Sequence, residues 1–166
     1  MLSRRNLLSG AAAIGAVSTA GFILAGRNDG ANAAVDGVFE VARTDSEWKT
    51  LLTPAQYEVL RREGTERAFT SPLDREKRAG VFRCAGCDLP VYASSAKFDS
   101  GTGWPSFWEA LPNAVGTKTD RKFLMTRTEV HCRRCGGHLG HVFDDGPAPT
   151  GKRHCINGVA LTFVAT

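Results

Sequence analysis

The stretch TEVHCRRCGGHLGHVFDDGP, residues 128–147, gathers three kinds of chemistry in one place. A β-leaning run, FLMTRTEVHC (123–132), leads into Cys132 and Cys135. A glycine-rich loop carrying His138 and His141 follows at once. A matching pair, Cys84 and Cys87 in CAGC, lies upstream with 44 residues between the two motifs. Two C-x-x-C knuckles supply two thiolates each, the donor set of a closed tetrahedral zinc site. Gly86, and Gly136-Gly137, let the backbone wrap towards the ion. With so long a stretch between the knuckles, such a site would pin strands distant in sequence, as a structural metal does for a small domain. Two disulfides are the alternative for an exported chain. A thioredoxin-like redox pair is the other, but neither motif sits at a strand-to-helix junction of a βαβ unit.

Outward from the knuckles the texture is that of short strands. VFRC (81–84), PVY (90–92) and VALTFV (159–164) alternate with Gly, Pro, Asn and Asp clusters. TPAQYEVLRREG (53–64) reads as a helix: Thr53 caps, Pro54 suits the first turn, Gln56 completes the capping box and Gly64 offers the stop. Leu52 and Tyr57 hold the staple positions. The fold expected is mainly β and antiparallel, with one or two N-terminal helices and a structural zinc site.

The first 33 residues have a basic head, an apolar middle and an Ala31-Asn32-Ala33 ending, the layout of a signal peptide. Arg4-Arg5 in SRRNLL gives it a twin-arginine character, so the export machinery is an expected partner and the periplasm of a bacterium the expected location. An uncleaved anchor over residues 7–26 is the alternative. A linker over 34–46 and a domain over 47–166 complete the organisation. From Ala34 onward 18 Lys and Arg stand against 16 Asp and Glu. With four thiolates around one Zn²⁺ that balance falls to about zero, and no basic run marks a nucleic-acid partner.

Of five cysteines, four are taken by the knuckles, which leaves Cys155 in GKRHCINGVA (151–160). An inert buried thiol is the commoner fate of a lone cysteine. In the strand-like run R-H-C-I-N, however, alternation sends Arg153, Cys155 and Asn157 to one face. A guanidinium beside a thiol favours the thiolate, and the thiolate is the nucleophile. His138 and His141 are acid/base candidates. FDSGTGWPSFW (98–108) adds Trp104, Phe107 and Trp108, with Trp104 best placed to present a face.

ERAFTSPLD, CAGC, KFDSGTGWPSFW, TEVHCRRCGGHLGHVFDDGP and TGKRHCIN, in this order, closely resemble the B-type peptide methionine-(R)-sulfoxide reductases from about Phe39 to the C-terminus. The resemblance implies a fold of two antiparallel sheets, structural Zn²⁺ on Cys84, Cys87, Cys132 and Cys135, and Cys155 as nucleophile. It implies methionine-sulfoxide-containing proteins or peptides as substrate and a thioredoxin-like or small-thiol reductant. His138 or His141 would supply the proton, Arg153 and Asn157 would tune the thiolate, and Trp104 with Phe107 would hold the substrate's methyl group. Three positions depart from the family pattern: Thr102 stands where a resolving cysteine is common, His154 where Tyr is common, and Gly158 where Ser is common. A sulfenic acid on Cys155 is therefore expected to be resolved by an external thiol, and the chain to work as a monomer. A zinc-clamped module that only binds a protein partner is the competing reading.

Overall fold

The computed structural model describes residues 39–122 and 125–166. The expected signal peptide, the possible anchor at 7–26 and the first part of the linker lie outside the described residues. Among those described, no helix is long and apolar enough to cross a membrane.

Two short helices open the body, α1 (Asp45–Leu51) and α2 (Pro54–Arg62). Each starts at a threonine whose hydroxyl accepts from the third helical N–H while a side-chain carboxylate or amide reaches back: Thr44 with Glu47, Thr53 with Gln56. α2 stops one residue before the expected glycine. Glu63 takes the left-handed backbone and Gly64 donates its N–H to Glu58 O. Trp48, Leu52, Tyr57, Val59 and Leu60 face inward. The linker is shorter than its composition implies. Val41 N–H bonds to Arg134 O at 3.0 Å, and the Phe39 ring lies against Gly136 and His131. Residues 39–44 are thus part of the body, held to the second knuckle by pairing that no local pattern announces.

Nine strands follow: β1 (Gly80–Cys84), β2 (Pro90–Ala93), β3 (Lys97–Phe98), β4 (Ser106–Phe107), β5 (Val115–Asp120), β6 (Arg127–Cys132), β7 (His138–Phe143), β8 (Arg153–Ile156) and β9 (Leu161–Ala165). They make a three-stranded sheet, β2-β1-β9, and a six-stranded sheet, β3-β4-β8-β7-β6-β5, with every pairing antiparallel. The expected two-sheet, mainly β architecture is what forms. β1 shows why: its alternate residues Phe82 and Cys84 are fully buried while Val81 and Arg83 are half exposed. Phe82, Tyr92, Phe107, Val130, Leu139 and Ile156 fill the core. Each such burial removes about 1.5–3 kcal/mol of apolar exposure. The segment expected to be a glycine-rich loop is instead β7, a central strand. The alternation that would have marked it is masked by Gly140 and the two histidines.

Candidate active site and metal site

The two knuckles hang from different sheets. Cys84 ends β1 in the three-stranded sheet and Cys132 ends β6 in the six-stranded one. The four sulfurs all lie within 4.8 Å of one another. Cys84 Sγ is 3.7 Å from Cys135 Sγ, and Cys87 Sγ is 3.4 Å from Cys132 Sγ. A disulfide would bring a pair to about 2.0 Å, so these are free thiols converging across the knuckles. Zinc with Zn–S of about 2.3 Å sets tetrahedral sulfurs about 3.8 Å apart, which this set matches. The donors are sulfur only and three of the four are buried, so the cluster fits a closed metal site. Hydrogen bonding to Cys132 pushes the Cys84 and Cys135 thiols up. Four thiolates at such spacing call for a cation to bind them. A metal ion held here would staple one sheet to the other.

Cys155 sits in the middle of the six-stranded sheet. Its register partners are His141 on β7 and Ser106 on β4, and all three therefore share one face. The thiol is half-buried and has Thr102 Oγ1 4.0 Å away. Behind Thr102 runs a chain of hydroxyls: Thr102 to Ser100 at 2.8 Å, Ser100 to Ser106 at 2.8 Å, and Ser106 donating to Trp104 O at 3.1 Å. The expected thiolate is not the resting form. Burial pushes the Cys155 thiol up, and the positive charge of Arg153 with the Thr102 hydroxyl only partly offsets it. Arg153 is held by a bidentate pair with Asp145, at 2.9 and 2.8 Å, and lies over the Phe143 ring.

The histidines come together because β7 bulges. Val130 pairs with Gly140 but His131 pairs with His138, so β7 spends two residues against one of β6. That extra residue resets the alternation and brings His138 and His141, three apart, to a ring separation of 5.3 Å. Gly140 between them is obligatory: a Cβ there would stand 2.0 Å from Cys155 O, inside the backbone of β8. His141 Nε2 is 2.8 Å from Asp120 Oδ2, and Arg127 pairs with the same carboxylate at 2.7 Å. A carboxylate only accepts, so Nε2 carries the proton and Nδ1 is left as the acceptor. Burial lowers the pKa of His141 against the opposing pull of Asp120, which keeps the ring neutral. His138 is almost fully buried. Its Nδ1 lies 3.0 Å from Glu129 Oε1 but off the hydrogen-bonding line, and neither ring nitrogen has a hydrogen-bond partner among the described residues.

Other expected site residues lie elsewhere. Phe107 is fully buried, stacked on Tyr92 at 4.3 Å and edge-on to Phe82 at 5.0 Å. It pairs with His154, one residue from Cys155, so strand parity puts it on the opposite face and it cannot line a methyl pocket. Phe107→Ala should cost about 3–5 kcal/mol of stability. Denaturant melts and kinetics on the surviving fold would show this, and a KM effect without destabilisation would contradict it. Asn157 does not turn to the thiol either. Its Nδ2 donates to Leu139 O at 3.0 Å and its Oδ1 accepts from Glu66 N, so it ties the β7 bulge to the segment after α2. His154 faces the core, 3.1 Å from Tyr92 OH, with its pKa lowered by burial. Gly158 donates to the Glu66 carboxylate, as does Val159 N at 2.9 Å. Trp104 is half-buried, its Nε1 tied to Glu66 O at 3.1 Å.

Asp120, Arg127, Ser100, Ser106 and Glu66 thus belong to the site although no motif marked them as such. Glu66 lies in ERAFTSPLD, Ser100 and Ser106 in FDSGTGWPSFW and Arg127 in FLMTRTEVHC, but nothing in those stretches singled them out, and Asp120 lies outside all of them. A half-buried thiol beside a neutral imidazole and hydroxyls, kept apart from a four-thiol cluster that could hold a metal ion, is the layout of a thiol-dependent redox enzyme. The chain belongs to the SelR domain family, whose model matches residues 52–165. It is similar to a protein of Methanosarcina barkeri named peptide methionine sulfoxide reductase MsrB, at 54% identity over 124 residues, covering 74% of this chain and 87% of the relative. A protein of the same name from Thiobacillus denitrificans is 56% identical over 122 residues, covering 73% of this chain and 92% of the relative. A peptide methionine sulfoxide reductase B1, chloroplastic, of Arabidopsis thaliana is 55% identical over 119 residues, 71% of this chain and 59% of the relative.

Proposed function

We propose that this chain is a peptide methionine sulfoxide reductase that acts on the R epimer in peptides and proteins, with Cys155 as nucleophile. The observation that carries the reading is the row Ser106–Cys155–His141, which sets the one cysteine outside the four-thiol cluster beside an imidazole held through Nε2 by Asp120, so that Nδ1 is the nitrogen able to take a proton. The Cys155 thiol passes its proton by way of His141 as Sγ attacks the sulfoxide sulfur. The S–O bond breaks, the oxygen moves to Sγ with that proton, and methionine leaves. Cys155 is oxidised to a sulfenic acid and the substrate is reduced, with atoms and electrons in balance. Two thiols of an outside donor then return the sulfenic acid to the thiol, giving a disulfide and water. Trp104, tethered through its indole N–H, offers its ring to the substrate's methyl group. Asp120 and Arg127 hold His141 in one tautomer. Arg153, fixed by Asp145, favours the thiolate as it forms.

Zn²⁺ is the ion proposed for Cys84, Cys87, Cys132 and Cys135, where it supplies structure rather than chemistry. With those four committed, no further cysteine is left to resolve Cys155, and the side chain 4.0 Å from its sulfur is Thr102. Residues 1–33 are proposed to direct export, which would place the repair of oxidised proteins outside the cytoplasm. The test is turnover of a methionine peptide presented as separate R and S sulfoxides with a dithiol reductant. The R epimer should be consumed and the S epimer left; turnover of neither, or of the S epimer alone, would overturn the reading.

A further inference from the structure

Phe69 combines two features that oppose folding. Its backbone lies in the left-handed region at φ 65°, and its ring is 63% exposed. A bulky residue keeps such a conformation only when its surroundings impose it, and strain of that kind gathers at ligand-binding segments. Two hydrogen bonds impose it here. Phe69 N–H donates to Gly103 O at 2.8 Å, and Trp104 Nε1 donates to Glu66 O at 3.1 Å, so segments 66–69 and 103–104 are stitched together. The ring lies against Gly103, where a Cβ would meet its Cδ2 at 2.7 Å and where φ is 87°. Gly103 stands between Thr102, which touches the Cys155 sulfur, and Trp104. The exposed ring thus lies on the loop that carries Thr102 and Trp104, next to the nucleophile's surroundings.

Beyond it opens a cleft of about 780 Å³, bordered by Phe69, Gly101, Asp99, Lys97, Glu76 and Arg75. Charges of both signs line it, so it favours no net charge in a ligand. Two rings line it, those of Phe69 and Phe98, and Phe69 is the more exposed, so selection there falls first to its phenyl ring.

We propose that Phe69 is a specificity-determining contact for polypeptide substrates, receiving an apolar side chain next to the oxidised methionine. This rests on the proposed reductase reaction at Cys155 and names the substrate class of that site. The oxidised methionine side chain occupies Trp104 and Cys155, and Phe69 meets what the polypeptide carries beyond it. A free amino acid has nothing to place there.

The full chain is assayed with saturating dithiothreitol on two substrates, free methionine-R-sulfoxide and a peptide with the R sulfoxide flanked by leucines. Phe69→Gly accepts the left-handed backbone and removes the ring without adding strain. It should raise KM for the peptide about tenfold, with kcat and the free amino acid's kcat/KM changed by less than about twofold. Phe69→Leu should restore most of the peptide KM. An equal loss on both substrates, meaning the ring only shapes the catalytic loop, overturns the proposal. So does an unchanged peptide KM, including the case where only the KM of a thioredoxin-type reductant rises. An unaltered enzyme inactive on both substrates instead overturns the reductase reaction and this contact with it.

Discussion

Replacing Cys155 with serine should reduce sulfoxide turnover by at least about a thousandfold, because a hydroxyl at that position is neither soft nor ionisable enough to attack sulfur. The same variant should keep its fold. Cys155 is half-buried, its neighbours are hydroxyls and an imidazole, and serine is close to isosteric, so stability should move by less than about 1 kcal/mol. Metal content should be unchanged, since the four ligating thiols lie elsewhere. Activity, thermal melting and bound metal measured on one preparation check all three. Turnover close to that of the unaltered enzyme would remove Cys155 from the chemistry. Loss of turnover together with loss of fold would leave it a structural thiol.

The opposite pattern is expected at the knuckles. Cys132→Ser should lose the bound ion and with it much of the stability, on the order of 5 kcal/mol, comparable with the whole stability of a domain this size. The reason is architectural. Cys132 is fully buried at the end of β6 and Cys84 fully buried at the end of β1, and the two strands belong to different sheets. An ion bound there would add a direct link to what packing and hydrogen bonds such as Tyr92 OH to His154 already join. Metal analysis of the purified protein should give one zinc per chain, and Cys132→Ser none with a collapsed melting transition. A variant that melts like the parent would show that the four thiols do not staple the sheets.

Both expectations rest on assignments that the sequence carried openly. The knuckles repeat a spacing that suits a shared ion, and Cys155 is what remains. α2 was legible because its signals are local: Thr53, Pro54 and Gln56 lie within one turn. β1 and β8 were legible because alternation survives in VFRC and RHCI. β7 was not, because its pattern is broken by Gly140 and reset by a bulge that exists only against β6.

The same limit governs the site. Whether Phe107 faces the substrate depends on its parity relative to Cys155, which is a matter of register between β4 and β8, not of the aromatic cluster it sits in. Asp120 reaches His141 across 21 residues and Thr102 reaches Cys155 across 53, contacts made by strand order alone. The charge of Arg153 acts on Cys155 but is outweighed by burial of the thiol, which cannot be seen in a pentapeptide. Asn157 looked like a donor for the thiolate and is instead committed to Leu139 and Glu66.

The central claim is that a single thiol accepts the oxygen and that no second cysteine of the chain resolves it. Reduced protein is mixed with one equivalent of a methionine-R-sulfoxide peptide, without reductant, and the protein and peptide are then examined by mass spectrometry. The account predicts one methionine formed per chain and one added oxygen on the fragment carrying Cys155, trapped by a sulfenic-acid reagent, with the other four thiols intact. A fragment pair joined by a disulfide through Cys155, or product formed with Cys155 unmodified, would contradict it.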